Sequence, residues 1–123
     1  MTSQKVMKSK WIITIWVLFS ASFIYADEVS EALSGKTPEV VAESTRNLIQ
    51  SGLNTQDMIE VTRAMLQNQF DVQQILDAHA VLMHAQRQEL APEPIINKAY
   101  EGMSKHVAAH NIVRAMDKVR ARY

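Results

Sequence analysis

The feature of this sequence that most constrains its fold is an apolar pattern that occurs four times after residue 52. In each occurrence an apolar residue is followed, five and six positions later, by an apolar pair, and successive occurrences begin 17, 20 and 17 residues apart. Such a repeat indicates that one supersecondary unit recurs along the chain. The occurrences are Leu53 with Met58 and Ile59, Phe70 with Ile75 and Leu76, Leu90 with Ile95 and Ile96, and Val107 with Ile112 and Val113.

The spacing predicts how each helix begins. An apolar residue directly before the N-cap packs against the fourth helical residue and fixes the direction of the entering chain. Asp71, with Gln74 three residues later, has the pattern of a capping box. Pro92 falls at the first helical position, where its missing N–H is not needed. The N-caps in this frame are Asn54, Asp71, Ala91 and Ala108.

Each predicted helix also has one apolar side. Positions five, six, nine, twelve and thirteen after each start share a helical stripe, and its polar members are Thr62, His79 and Arg120. We interpret the methionines on these stripes as core residues that fill irregular space. They are Met58, Met65, Met83, Met103 and Met116. The seventh position after each start predicts the solvent face, and it is occupied by Glu60, Asp77, Asn97 and Arg114.

A further helix is predicted before the repeat, with Thr37 as N-cap, Pro38 at the first helical position and Gly52 as the terminating residue. No segment alternates with the period of a strand. The sequence therefore predicts an all-α fold of about five short helices, stacked as helical hairpins in a solenoid-like arrangement or packed as an irregular bundle. The apolar face of the first helix is Val40, Val41, Leu48 and Ile49.

The first 26 residues have the layout of a secretory signal peptide. Three lysines precede an uncharged run over residues 11–26, and Asp27 follows it. We expect cleavage after Ala26; the alternative is an uncleaved anchor, although the 16 uncharged residues fall short of the roughly 20 that cross a bilayer as a helix. Residues 27–36 are then a linker, residues 37–123 are a single helical domain, and the mature protein is periplasmic or secreted. The lysines are Lys5, Lys8 and Lys10.

The carboxy-terminal third of the mature chain carries the segments EPIINKAYEGM (residues 93–103) and IVRAMDKVR (residues 112–120). These segments resemble the ends of short exported bacterial helical proteins that are uncharacterised. The resemblance implies a helical, exported protein. It brings no catalytic residue and no ligand.

Histidines are the candidate ligand residues. His106 and His110 have the four-residue spacing that places two imidazoles on one helical face for zinc or copper. The repeat, however, places His106 at a helix end equivalent to Gly52 and His110 in the following first turn, which favours a structural role. His79 lies on an apolar stripe, where a buried and hydrogen-bonded imidazole is the favoured interpretation and a heme or metal ligand is the alternative.

Charge is divided along the chain. Residues 27–97 carry four basic and eleven acidic residues, whereas residues 98–123 carry six basic and two acidic ones. The basic residues of the last helix suit the negative end of its dipole, and they also offer a surface to an acidic partner or to anionic lipid. Tyr100 is the candidate exposed anchor for a protein contact. The basic residues are Arg114, Lys118, Arg120 and Arg122.

Motifs for catalysis are lacking. The sequence has no cysteine, no nucleophile elbow and no glycine-rich phosphate loop. It also lacks the aromatic platform of a nucleic-acid-binding domain. We therefore expect a non-enzymatic helical interaction or structural module of the bacterial cell envelope, without a cofactor, that contacts an unidentified protein partner. The alternatives are a ligand or metal carrier using His79 or the pair His106 and His110, and a binder of anionic membrane surfaces through the last helix.

Overall fold

A computed structural model of the chain describes residue 29, residues 32–33 and residues 37–123. These residues form helices and connecting turns, and no strand occurs among them, so the predicted all-α class is confirmed. None of the helices described combines the length and hydropathy needed to cross a bilayer. The predicted signal peptide lies outside the described residues. The helices are α1 (Glu39–Gln50), α2 (Thr55–Gln67), α3 (Val72–Arg87), α4 (Glu93–Ser104) and α5 (Ala109–Ala121).

The helices pack as a two-layered stack. Neighbours in sequence contact one another in the pairs α1–α2, α2–α3 and α4–α5. Helices two places apart also contact one another, in the pairs α1–α3, α2–α4 and α3–α5. The odd-numbered helices therefore form one layer and the even-numbered helices the other, as in stacks of helical hairpins.

The predicted stripes of α2 to α5 form the core. None of their twenty positions is exposed, and fully buried members such as Met58, Leu82 and Ile95 belong to one continuous cluster. The four positions predicted to face solvent are all exposed. Burial of these apolar side chains is the main force holding the stack together, because each isolated helix is too short to be stable in water.

One predicted core residue of α1 is wrong. Val40 is 46% exposed, whereas Val41 and Leu48 are buried. Val41, Thr45 and Leu48 follow the spacing of one helical face, and Val40 precedes the first of them by one residue. A single residue turns the side chain by about 100° around the helix, which moves Val40 to the edge of the buried face.

The four helix links at residues 51–54, 68–71, 88–91 and 105–108 end their preceding helices in the same way. In the first link Gly52 has a φ of 111°, its N–H donates to the Ile49 carbonyl at 3.0 Å, and the Leu53 N–H donates to the Leu48 carbonyl at 3.3 Å. Equivalent pairs of bonds, around another residue of positive φ, close the other three links. This is the Schellman motif, which satisfies the last carbonyl groups of a helix. Its left-handed residues are Gly52, Gln69, Glu89 and His106.

Side-chain caps at two helix starts are confirmed. The Asn54 side chain accepts a hydrogen bond from the Asp57 N–H at 2.9 Å. Asp71 and Gln74 form the complete capping box, with bonds of 2.7 Å and 2.9 Å. Ala108 is the N-cap of α5 and supplies no side-chain bond.

Two predicted N-caps are displaced by one residue. Pro38, not Thr37, precedes α1, because its ψ of 140° is still extended. Pro92, not Ala91, precedes the first assigned residue of α4. Its dihedral angles of −77° and −19° are nonetheless helical, so Pro92 does take the conformation of a first helical residue.

A helical turn before the first helix covers one end of the stack. The Leu33 N–H donates to the Val29 carbonyl at 3.0 Å, and these two side chains are only 4% and 1% exposed. Arg63 of α2 donates to the Ala32 carbonyl at 3.2 Å. The turn thereby closes the α1–α2 end. The apolar residues packed with it are Ile49, Ile59 and Leu66.

Candidate interaction surface

The α4–α5 hairpin is packed closely because of one glycine. A β-carbon added at Gly102 would lie 2.6 Å from Cγ1 of Ile112. This is well inside van der Waals contact, so only glycine lets α5 approach α4 at this distance. The repeat had placed both residues on core stripes, but it did not indicate that they touch.

A cavity of about 190 Å³ lies on this hairpin, and we call it the α4–α5 groove. Its floor is apolar and its rim is polar. Ile112 is buried at the bottom, whereas Val107 is 41% exposed at one end. The floor consists of Gly102, Val107, Ile112 and Ala115, and the rim of Lys98, Glu101, Lys105 and Asn111.

The rim carries a net positive charge on its α4 side. Nζ of Lys105 lies 3.0 Å from Glu101 Oε1, and Nζ of Lys98 lies 3.4 Å from Glu101 Oε2. The hydrogen bonds from Lys105 and Lys98 hold the pKa of Glu101 below its usual value. Two cations thus share one carboxylate. These groups are exposed, so water and salt screen them and they set recognition more than stability.

Two basic residues lie further along α5, beyond the residues that line the groove. Lys118 and Arg122 follow the lining residue Ala115 by three and seven residues, which continues the same side of the helix. Both residues are exposed. Within the described part of the chain, neither side chain forms a hydrogen bond or an ion pair. Positive charge therefore lines the groove on α4 and continues beyond it on α5.

The exposure of Val107 departs from the repeat. Its counterparts Leu53 and Phe70 are each 6% exposed and Leu90 is partly buried, but Val107 is 41% exposed. Two of the earlier links are each contacted by a helix that comes later in the chain. Gln86 of α3 donates to the Ser51 carbonyl at 2.9 Å, and Arg120 of α5 donates to Gln88 at 2.9 Å. Helix α5 follows Val107 and is the last described helix, so no described helix comes after α5 to cover this link.

Tyr100 is exposed as predicted but lies away from the groove. It is 38% exposed on α4, two residues from Lys98, which places it about 200° around the helix. Partial burial raises the pKa of Tyr100, and the nearby carboxylates of Glu60 and Asp57 on α2 raise it further. The structure therefore does not bring Tyr100 together with the basic residues of α5.

The predicted basic residues of α5 divide into two groups. Arg114, Lys118 and Arg122 are exposed. Arg120 has only 15% of its side chain exposed and pairs with Asp117 at 2.8 Å, in addition to its bond to Gln88. Arg120 is thus engaged within the fold, joining α5 to the link between α3 and α4.

His79 is a buried hydrogen-bonding residue at the junction of three helices. Its Nδ1 lies 2.7 Å from Ser44 Oγ of α1, and its Nε2 lies 2.9 Å from Thr62 Oγ1 of α2. Burial lowers the pKa of His79 to about 4. The neutral imidazole supplies one donor and one acceptor, and each hydroxyl can match either. Both ring nitrogens are occupied, so binding heme or a metal would require one of these bonds to break.

His106 and His110 occupy the positions that the repeat assigned to them. His106 is the left-handed residue of the last link, with a φ of 56°, and His110 lies in the first turn of α5. Both are exposed. Among the residues that the structure describes, no group of three or more His, Cys, Asp or Glu side chains is placed to hold a metal ion.

Sequence reasoning did not select the interaction residues of the groove. It selected Lys118 and Arg122 on the last helix, which do not line the cavity, and it did not select Lys98, Lys105 or Val107. The available signal was the repeat itself, since Val107 is the staple residue of its last unit. A unit at one end of a helical stack has a neighbour on one side only.

Comparison with known proteins adds no relative: no family model, no curated protein and no solved structure matches the chain. The surface of the helical stack is therefore the basis for a functional proposal.

Proposed function

We propose that this protein is a non-enzymatic interaction module of the bacterial cell envelope, exported to the periplasm or beyond it, that binds a protein partner at the α4–α5 groove. One observation carries the proposal. Val107 is 41% exposed beside a cavity, whereas Leu53 and Phe70, at the same position of the repeat, are 6% exposed. A partner that covers Val107 would give the last unit the burial that the earlier units already have.

The two ends of the stack differ in how far they are covered, and this difference supports the proposal. Val29 and Leu33 cover the α1–α2 end, where they are almost fully buried. At the α4–α5 end the groove remains open to solvent. Exposed apolar surface with a polar rim is typical of sites where another protein binds.

The size and lining of the groove favour protein contact over chemistry on a small molecule. Its volume of about 190 Å³ is below the range of roughly 300–1,000 Å³ that is common for small-molecule sites. The titratable groups at its rim are Glu101 and two lysines, which pair with one another at the surface. A few apolar side chains of a partner would fill such a space.

Site-specific photocrosslinking in cells tests the proposal. A photoreactive amino acid replaces Asn111 in the groove, and a matched variant carries it at Asp77, an exposed position of α3. We expect a discrete crosslinked partner from position 111 and none from position 77. Equal labelling from both positions, or no crosslinked species from either, would contradict a binding site in the groove. Fractionation of the same cells, with amino-terminal sequencing, tests export and cleavage after Ala26.

An anionic membrane surface is a second candidate, because Arg114 and Lys118 of α5 and the C-cap residue Arg122 are exposed. Cosedimentation with vesicles containing phosphatidylglycerol tests it. Membrane binding predicts salt-sensitive sedimentation that Arg114→Gln and Arg122→Gln both reduce. Sedimentation that is equal with neutral vesicles would remove this candidate.

A further inference from the structure

We infer that the occupant of the α4–α5 groove is an acidic amphipathic helix of a partner protein, which presents an apolar pair four residues apart to the groove floor. This inference rests on the proposed function and specifies the partner's chemistry. It follows from the stacking order of the helices, from the way the opposite end is closed, and from the charges at the rim.

The stacking order indicates that a helix belongs in the groove. Helix α3 packs on α1 and α2, and α5 packs on α3 and α4. Each of these helices thus covers two helices that precede it. The next helix in this order would belong to the even-numbered layer and would pack on α4 as α4 packs on α2. Helix α4 supplies Lys98, Glu101, Gly102 and Lys105 to the lining of the cavity. The small residue Ala115 in its lining allows a helix to approach α5 closely.

The opposite end shows which side chains suffice to close the stack. There a single helical turn covers α1 and α2 with Val29 and Leu33, two apolar residues four positions apart. Residues four apart lie on the same face of a helix. A partner helix with the same apolar spacing would cover Val107 and Ala115 in the equivalent way.

The rim determines the charge of that helix. Lys98 and Lys105 line the groove on α4, together with Glu101, the one carboxylate in its lining. Lys118 and Arg122 follow the lining residue Ala115 on the same side of α5. The lining thus holds two cations and one anion, with two more cations further along α5, and this charge attracts an acidic segment and repels a basic one. Complementary charge of this kind also accelerates association at low salt.

Fluorescence anisotropy with the full chain, expressed from Met1, tests the inference. The probe is a labelled peptide of about five helical turns, with leucines at helical spacing on one face and glutamates on the other. A counterpart with lysines in place of glutamates controls for charge. We expect the acidic peptide to bind at least about tenfold more tightly than the basic one, and to weaken as ionic strength rises.

Charge reversal locates the binding site. Lys118→Glu lies in the last turn of α5, and its matched control Arg87→Glu lies in the last turn of α3, so both place a negative charge near the carboxyl end of a helix. We expect Lys118→Glu to weaken binding of the acidic peptide by about tenfold and Arg87→Glu by less than about twofold. Circular dichroism confirms that each variant is folded.

The possible outcomes distinguish a failure of this inference from a failure of the proposed function. Equal binding of the two peptides, or equal effects of Lys118→Glu and Arg87→Glu, would overturn the inference that the partner is an acidic helix. If neither peptide binds while position 111 still crosslinks to a partner, the groove is a binding site for a different class of segment and the inference fails alone. Self-association that Lys118→Glu abolishes would identify a second copy of this chain as the occupant, which also overturns the inference.

Discussion

Thr62 and His79 join α2 to α3 inside the stack, with Oγ1 of Thr62 2.9 Å from Nε2 of His79. Both side chains are buried, and His79 is 2% exposed. Because Ser44 meets the other ring nitrogen, the imidazole connects three helices through two hydrogen bonds. Such a group specifies one arrangement of the core, since any other packing would leave a buried polar atom without a partner.

The first prediction concerns pH. Burial lowers the pKa of His79 to about 4, whereas the unfolded chain titrates near 6.5. Between these values the unfolded state binds more protons, so stability is full above about pH 6.5 and is lost as pH falls toward 4. Over the interval from pH 7 to pH 5 we expect the free energy of unfolding to fall by about 2 kcal/mol. Urea titrations followed by circular dichroism at the two pH values measure it.

The control for this prediction is His79→Gln, which keeps a hydrogen-bonding side chain without a titrating imidazole. This variant should lose most of the pH dependence, whatever its absolute stability. An unchanged slope in the variant would mean that another group is responsible. Should the variant not fold, an NMR titration of the His79 ring in the unaltered chain measures the same pKa.

The second prediction concerns the contact of Gly102 with Ile112. At an exposed helical site, replacing glycine by alanine stabilises a helix by about 1 kcal/mol. Here the new β-carbon would lie 2.6 Å from Ile112, so we expect Gly102→Ala to destabilise the protein by about 1–2 kcal/mol instead. Thermal and urea unfolding measure the sign.

A double-mutant cycle assigns that loss to the contact. Combined with Ile112→Ala, Gly102→Ala should cost little or become favourable, because the clashing side chain is gone. Additive effects would show that the destabilisation arises elsewhere.

The third prediction concerns the left-handed links. Gln69 adopts a φ of 64°, a conformation that glycine takes more readily than any other residue. We expect Gln69→Gly to stabilise the protein by about 0.5–1 kcal/mol. The matched control is Ala80→Gly, at an exposed position inside α3, which should destabilise the protein by about 1 kcal/mol. Equal destabilisation by both substitutions would contradict the prediction that the left-handed conformation of Gln69 is strained.

The fourth prediction concerns helix caps. Ala108 precedes α5 without a side-chain bond, so Ala108→Ser should stabilise the protein by about 0.5–1 kcal/mol. Asp71→Ala removes a complete capping box and should cost about 1–2 kcal/mol. Urea midpoints that shift in opposite directions would support both assignments; a neutral Asp71→Ala would contradict the second.

Much of the fold could be predicted from sequence because it repeats a local rule. Asn54, Asp71 and Ala108 are N-caps as the staple spacing predicted, and the stripes of α2 to α5 are shielded from solvent. Local chemistry determines these features within a few residues. The errors at Thr37 and Ala91 are of one residue, where a neighbouring proline decides the first helical residue.

The groove could not be predicted from the sequence, because it depends on contacts between helices. The sequence placed Arg120 and Lys118 together on a basic helix, but the structure engages Arg120 with Gln88 and leaves Lys118 exposed. The contact of Gly102 with Ile112 and the exposure of Val107 likewise depend on how helices lie across one another. A helical period gives the face of each residue but not its neighbour in the next helix.

The stacking of each helix on its nearest predecessors has a consequence for how the chain reaches this state. The principal helix pairs are separated by no more than one intervening helix, so the contact order is low. Loops that close over short distances cost little entropy, and domains of this topology fold in microseconds to milliseconds. The helices of such a chain can therefore assemble in the order of the sequence, because no principal helix pair requires a distant part of the chain.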